Sequence, residues 1–281
     1  GLMEGNMLEI PESTTMARQI GETLTGRRIE SAQANASPHK FAFYLGDPEG
    51  YGPLLSGRVV TGAKAHGGLV EVALDGAVLL FGDGANLRYI EPGQALPAKH
   101  QLLLSFDDGS ALACSVQMYG GVWAFAEGQF DNPYYDVARA KPSPLTDAFD
   151  AAYFDGIVSA APANLTAKGL LATEQRIPGL GNGVLQDILL NAGVNPRTKV
   201  SALSNADKKA LFESVKSTLA EMTALGGRDT EKDLFGSSGG YKTKLSAKTA
   251  GMICPQCGGP VVKQAYMGGS VYFCPECQKM R

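Results

Sequence analysis

Two Cys-x-x-Cys pairs close this chain, Cys254-Pro-Gln-Cys257 and Cys274-Pro-Glu-Cys277, with sixteen residues between them. Each pair presents two thiolates about one metal ion's width apart, and two pairs complete the four-sulfur tetrahedron of a structural zinc site. Gly258-Gly259 supplies a tight turn after the first pair, and Val261-Val262 with Val271-Tyr272-Phe273 reads as a hairpin carrying the second. A redox CxxC is the competing reading, but two matched pairs favour zinc, and with all four positions filled by protein the ion is expected to be structural. The fifth cysteine, Cys114, lies in an apolar stretch and reads as a small buried hydrophobe.

The 281 residues allow two domains, and the charge is unevenly shared between them. Residues 1–150 hold 10 Lys and Arg against 18 Asp and Glu, a balance of −8, whereas residues 151–281 hold 15 against 10, a balance of +5. If phosphates are bound, the second half should bind them. No apolar run approaches the roughly 18 residues of a membrane span, and no signal-peptide pattern opens the chain, so a cytoplasmic protein without membrane contact is expected.

Up to about residue 135 the pattern is strand-like. Arg58-Val-Val, Leu69 to Leu74, Ala77 to Phe81, Gln101 to Phe106 and Gly121 to Phe125 are short apolar runs, separated by the turn signals Asp75-Gly76, Asp83-Gly84 and Asp108-Gly109. Antiparallel hairpins in a sandwich or barrel follow, preceded by a helix over about Thr14 to Leu24. Lys141-Pro-Ser-Pro-Leu145 breaks the pattern. From about 147 to 227 the chain reads as helices, the clearest starting at the capping box Ser204-Asn-Ala-Asp207 with Leu211, Val215, Leu219, Met222 and Leu225 along one face. The Gly-, Lys- and Ser-rich connector from Gly226 to Gly251 is read equally well as a functional loop or a flexible linker.

A second constellation is Ile177-Pro-Gly-Leu-Gly-Asn182, which feeds a helical run. A glycine-rich turn at a helix N-terminus offers backbone N–H groups and a positive dipole end to a phosphate; Gly179 and Gly181 would allow close approach, and Asn182 would cap the helix or donate to a phosphate oxygen. The alternative is that these glycines only permit tight packing at a helix-turn-helix corner.

The segment from Ile177 to Pro196, the loop Gly239-Gly-Tyr-Lys242 and the finger from Cys254 to Lys279 together resemble the formamidopyrimidine-DNA glycosylase / endonuclease VIII family, as do Lys141-Pro-Ser-Pro-Leu and Met7-Leu-Glu-Ile-Pro-Glu12. The resemblance implies an α+β chain of two domains: an N-terminal β-sandwich with flanking helices, then a helix–two-turn–helix domain with a zinc-finger hairpin. The implied limits are 1–140, 141–250 and 251–281. It further implies a monomer acting in base excision repair on double-stranded, damaged DNA, with the damaged base flipped out of the stack. Phosphate contacts would come from Lys168, Asn182 and the amides around Gly179 and Gly181, and Tyr241 with Lys242 would lie near the flipped base.

The chain departs from the family pattern where the chemistry would occur. Leu8 stands where the family has an N-terminal proline amine, and a peptide nitrogen is no nucleophile because its lone pair is delocalised. Residues 1–6 and Met7 precede it, and a start at Met7 would keep its Met because bulky Leu8 hinders removal. Glu9 and Glu12 retain the family's acids, although Glu12 equally suits a simple helix start. The β-hairpin lysine falls near His66, with Lys64 on the same strand face. Wedge positions align with Asp83 and with Gln117-Met118-Tyr119, and the finger arginine with Gly269. Three readings follow: a DNA-binding relative with catalysis lost or rebuilt around Glu9, Lys64 or His66; an active glycosylase/lyase using a processed N-terminal amine or Lys64; or a non-catalytic nucleic-acid or protein-binding module.

Overall fold

The computed structural model describes residues 7–281, so the segment 1–6 lies outside the described residues. Helix α1 spans Ile10–Leu24 and starts four residues earlier than the sequence suggests. Pro11 sits in its first turn, where a missing N–H leaves no bond unmade. Then come β1 (Ile29–Ala34), β2 (Ala42–Phe43), α2 (Tyr51–Leu55), β3 (Gly62–His66), β4 (Leu69–Ala73), β5 (Ala77–Ile90), β6 (Leu102–Phe106) and β7 (Ala111–Ala126).

The strands form one ladder, β1-β6-β7-β5-β4-β3, with β2 parallel to β7. The β5–β7 ribbon is long enough to carry a wing at each end. β4 pairs with residues 78–81 of β5, while β6 pairs with residues 111–114 of β7, at the opposite end of the ribbon. Side chains of both wings share one core, including Val72, Phe81, Leu87, Leu104 and Cys114, which is why the sheet closes as a sandwich. Helix α1 contributes Met16, Ile20 and Leu24 to that core.

Two expectations are corrected in this half. Arg58-Val-Val is not a strand; Val59 makes only an isolated bridge to Arg28. Asp83-Gly84 is not a hairpin turn but the middle of β5, where the register passes from Asp83↔Gly120 to Ala85↔Val116. One residue of β5 therefore faces three of β7, and Gln117-Met118-Tyr119 bulges outward. Asp83 takes the positive φ of 56° that its Asp-Gly pair had suggested for a turn. At Asp75-Gly76, φ values of 48° and 88° make the expected tight turn between β4 and β5.

After α3 (Pro133–Ala140), the segment Lys141 to Phe149 runs as turns to α4 (Ala151–Ala160), α5 (Ala167–Ala172), α6 (Asn182–Ala192) and α7 (Asn205–Ala224). The capping box of α7 is formed: Asp207 N donates to Ser204 Oγ at 3.1 Å and Ser204 N to Asp207 Oδ2 at 3.0 Å. Leu211, Val215, Leu219 and Met222 are buried, but Leu225 follows the last turn and is exposed, so it drops out of the expected stripe. The helices enclose a second core that also takes in Ile10 from the first turn of α1.

The connector after α7 is not a free linker. Leu234 is fully buried in the sandwich core, its carbonyl accepts from Tyr89 N and its amide donates to Gln19 Oε1. Strands β8 (Val262–Tyr266) and β9 (Gly269–Phe273) then form the terminal hairpin. No helix among the described residues is long and apolar enough to cross a membrane.

Candidate nucleic-acid interface

Glu9 ends its extended segment with its carboxylate turned into the protein. Its Oε1 accepts from Val184 N at 3.1 Å, so this side chain supplies the anion at the N-terminus of α6. Glycines on either side of the start of α6 make room for it: a Cβ on Gly181 would stand 2.7 Å from Glu9 Oε1, and one on Gly183, in the first turn of α6, would strike Glu9 and Arg228. Gly179, at φ 82°, packs instead against Gly67 and Gly68 at the tip of the β3–β4 hairpin. Close packing thus accounts for Gly179 and Gly181. Gly181, not Asn182, is the N-cap of α6.

Behind Glu9 lies Arg228, whose Nη2 is 2.9 Å from Glu9 Oε2, 2.6 Å from Glu12 Oε1 and 4.0 Å from Glu231 Oε1. One buried guanidinium faces three carboxylates. Burial raises the Glu9 carboxyl above its ordinary range, with Arg228 opposing the shift. Burial likewise pushes Glu231 up to about 7, against the pull of Arg228. Burial alone would lower Arg228, but Glu12 and Glu9 hold it charged well above its usual value. Glu231 Oε1 also accepts from Met7 N at 3.0 Å. The sequence marks Glu9 and Glu12 but gives no sign of Arg228 or Glu231, which lie in the connector.

Leu8 N donates to Asp83 O at 2.9 Å, so the nitrogen at this position is an amide engaged in a backbone bond. The hairpin tip closes over it: a Cβ on Gly68 would stand 2.5 Å from Leu8 O, and one on Gly67 2.9 Å from Pro178. His66, just before the tip, has Nε2 3.4 Å from Glu71 Oε2, and the Tyr135 hydroxyl donates to the other oxygen of Glu71. The His66 contact lowers the Glu71 carboxyl below its ordinary value despite burial. Lys64 is exposed on the same strand, paired across to Glu71 in register. Glu9 is turned to α6 and Arg228, so it shares no contact with this His66–Glu71–Tyr135 group. Across from Asp83, the bulge exposes Met118 (43%) and Tyr119 (39%), beside the exposed Phe41, whose carbonyl accepts from Gly120 N.

Lys168 and Asn182 meet at the terminal hairpin. Lys168 Nζ donates to Tyr266 O at 2.6 Å, and Asn182 Nδ2 donates to Ser270 O at 3.0 Å. A Cβ on Gly269 would lie 3.1 Å from Asn182 Nδ2 and 3.5 Å from Lys168 Nζ, so two nitrogen donors converge beside the position that lacks the arginine. Gln186 holds the hairpin on α6, accepting from Tyr272 N and donating to Ser270 O, both at 3.0 Å. Arg197 lies over the Tyr266 ring at 4.2 Å.

Tyr241 is buried in the helical core, its hydroxyl donating to Asp187 Oδ2 at 2.7 Å. Lys242, next to it, is exposed.

The four cysteine sulfurs lie within 4.8 Å of one another. The Cys257–Cys274 and Cys254–Cys277 separations, 3.4 and 3.9 Å, bracket the roughly 3.8 Å edge of a tetrahedron with about 2.3 Å metal–sulfur bonds. Backbone amides of Gln256, Gly259 and Cys277 point at Cys254, Cys257 and Cys274, each at 3.4 Å, as suits thiolates. This donor set can hold a metal ion. Buried Gln278 locks the knuckle to the helices, accepting from Cys274 N at 2.9 Å and donating to Val194 O at 3.0 Å.

No family model matches the chain. It is 27% identical over 292 residues to a formamidopyrimidine-DNA glycosylase of Nocardia farcinica, covering 97% of this chain and 98% of that one. A protein of the same description from Geotalea uraniireducens is 29% identical over 284 residues, covering 97% and 100%. Among solved structures, the MutM (Fpg) protein of Thermus thermophilus superposes with a TM-score of 0.80 at 23% identity, covering 97% of this chain and 99% of that one. The Lactococcus lactis Fpg in complex with DNA containing an abasic site superposes with a TM-score of 0.82 at 23% identity, covering 96% and 99%. At these identities the structures establish a shared fold.

Proposed function

We propose that the chain is a divergent member of the formamidopyrimidine-DNA glycosylase family that binds damaged duplex DNA in base excision repair without using Leu8 N as an amine nucleophile. The observation that carries this reading is the meeting of Lys168 Nζ and Asn182 Nδ2 at Gly269. A phosphate oxygen seated there accepts from both side chains, and the excess positive charge of residues 151–281 draws the backbone toward it. The cysteine quartet holds a structural zinc ion through Cys254, Cys257, Cys274 and Cys277, which fixes the β8–β9 hairpin beneath that phosphate. We take residues 1–140, 141–250 and 251–281 as the three working units of such a protein.

Grip and chemistry are separate matters in such a protein. Attack on a sugar carbon needs a nitrogen lone pair, and Leu8 N is conjugated into a peptide bond and donates to Asp83 O. Met118 and Tyr119 on the bulge are the side chains offered to the base stack, in place of the acidic Asp83. Glu9 is a positioning group for α6 in this reading. Lys64 and His66 stand on the hairpin without a role in catalysis.

Duplex affinity should fall with salt, and the double variant Lys168→Ala, Asn182→Ala should weaken it at least tenfold and lower the salt slope by about one to two phosphates. Unchanged affinity in that variant removes the phosphate seat. Borohydride trapping on DNA with an abasic site or an oxidised base should give no covalent adduct. An adduct at Leu8 would instead demand a chain cut before that residue, and one at Lys64 would make the hairpin lysine the nucleophile.

A further inference from the structure

A cavity of about 200 Å³ lies where the two halves join. Its walls come from four segments: Thr14 of α1, His66 at the hairpin tip, Arg139 in the last turn of α3 running on to Lys141 and Ser143 of the link between the halves, and Pro178 of the glycine-rich turn. Among the described residues that line it, none is acidic.

Two permanent cations and an imidazole therefore share one pocket, and their charges are unequally balanced. Arg139 is paired with Asp136 at 2.6 Å and lies over the Tyr135 ring at 4.0 Å, which together fix its planar group. Lys141 Nζ donates to the carbonyl of Gln175 at 2.8 Å, a neutral acceptor that orients the ammonium without cancelling its charge. His66 Nε2 is buried, close to Glu71 but outside hydrogen-bond geometry. The guanidinium has five N–H groups, of which Asp136 occupies part, and the ammonium has three. Donors of fixed charge around a space that no carboxylate residue lines favour an oxyanion, and a planar fork beside a point charge suits tetrahedral phosphate oxygens. The volume is several times a water molecule's share of about 30 Å³, enough for such a group.

We propose that this junction cavity is a phosphate-binding site held by Arg139 and Lys141, separate from the seat at Lys168, Asn182 and Gly269. Its ligand is a phosphate group, supplied either by a nucleic-acid backbone or by a free phosphate or phosphomonoester. Because it joins four segments of the fold, an occupied site also stiffens the junction. The cavity stands independently of DNA binding at the other seat.

The test is calorimetric titration of the full chain, metal-loaded, with inorganic phosphate at an ionic strength held constant with chloride. In the Lys168→Ala, Asn182→Ala background, which removes the other seat, one saturable site per chain is expected, with an accompanying rise in melting temperature. Arg139→Gln and Lys141→Gln should each weaken it about tenfold or more, and Lys141→Arg should retain it. Lys141 also ties down Gln175, so circular dichroism of every variant accompanies the titration, and the more exposed Arg139→Gln carries the decision. Absent or non-saturable binding overturns the site, as does unchanged binding in a folded Arg139→Gln. Repeating the titration with duplex bound separates the sources: exclusion of free phosphate assigns the pocket to a backbone phosphodiester, and simultaneous occupancy assigns it to a free phosphate or phosphomonoester. Both results support the site, and both can be obtained in the Lys168→Ala, Asn182→Ala background.

Discussion

Arg228 is the residue on which most of the site's order depends. It answers Glu9, Glu12 and Glu231 at once, and its own amide also donates to Glu12 Oε2 at 3.0 Å. Replacing it with Met should destabilise the fold by about 3–5 kcal/mol at neutral pH, measured by denaturant melts, because buried carboxylates lose their counter-charge. Glu231 gives the cluster a pH signature. Its folded value of about 7 lies above the ordinary carboxylate range, so the folded chain binds the extra proton between roughly pH 4.5 and 7. Stability from this group is complete below that window and is lost as pH rises through about 7. Glu231→Gln keeps an acceptor for Met7 N, and should flatten that decline and raise the melting temperature at pH 8. A decline as steep as in the parent protein would assign it to other groups. None of this is readable along the chain, since Glu12 and Arg228 are 216 residues apart and only folding makes them neighbours. Asn182 stood out because the turn Pro-Gly-Leu-Gly-Asn has a recognisable local chemistry, whereas Lys168, in α5, was named only through the family resemblance. The glycines of that same turn were legible as a tight corner, but not Gly181 as the wall beside Glu9 nor Gly179 as the seat of the β3–β4 hairpin tip.

At the level of elements, local signals held and signals that tertiary pairing can override did not. The capping box of α7 closes within four residues and forms as its letters imply, so Ser204→Ala should lower stability by about 1 kcal/mol in a thermal melt. Asp83-Gly84 carries equally good turn letters. There, however, β7 supplies a partner on each side of the pair, and the same positive φ becomes a bulge inside a long strand. The core under the C-terminal hairpin holds only a few apolar side chains, including Leu190, Leu245 and Tyr272. On the proposed zinc reading, metal binding on the order of 10 kcal/mol should therefore decide whether the hairpin is folded. Chelation should release one zinc per chain, detected with a colorimetric indicator, and should abolish duplex binding while leaving the β-sandwich signal in circular dichroism largely intact. Retained binding after release of the ion would uncouple the finger from the phosphate seat.

For the molecule as a whole, the two cores are exchanged at their edges. Ile10 of the first helix belongs to the helical core, while Leu234 of the connector fills the sandwich core. Leu234→Ala should thus lower stability by about 2–5 kcal/mol and should be felt in the sheet, as accelerated hydrogen exchange along β5, although the residue lies beyond α7. The break at Lys141-Pro-Ser-Pro-Leu is visible in the sequence as a change of pattern, but this exchange is not, because one leucine in a polar connector has no periodicity to betray where it lands. It also sets a timetable for synthesis. A chain leaving the ribosome from its N-terminus can pair every strand of the sheet once β7 has emerged, yet the sandwich must wait for residue 234 before its interior is filled. Through the making of the helical half, the nascent sheet carries an open apolar notch. Any holding factor that shields it has to let go only when the connector arrives.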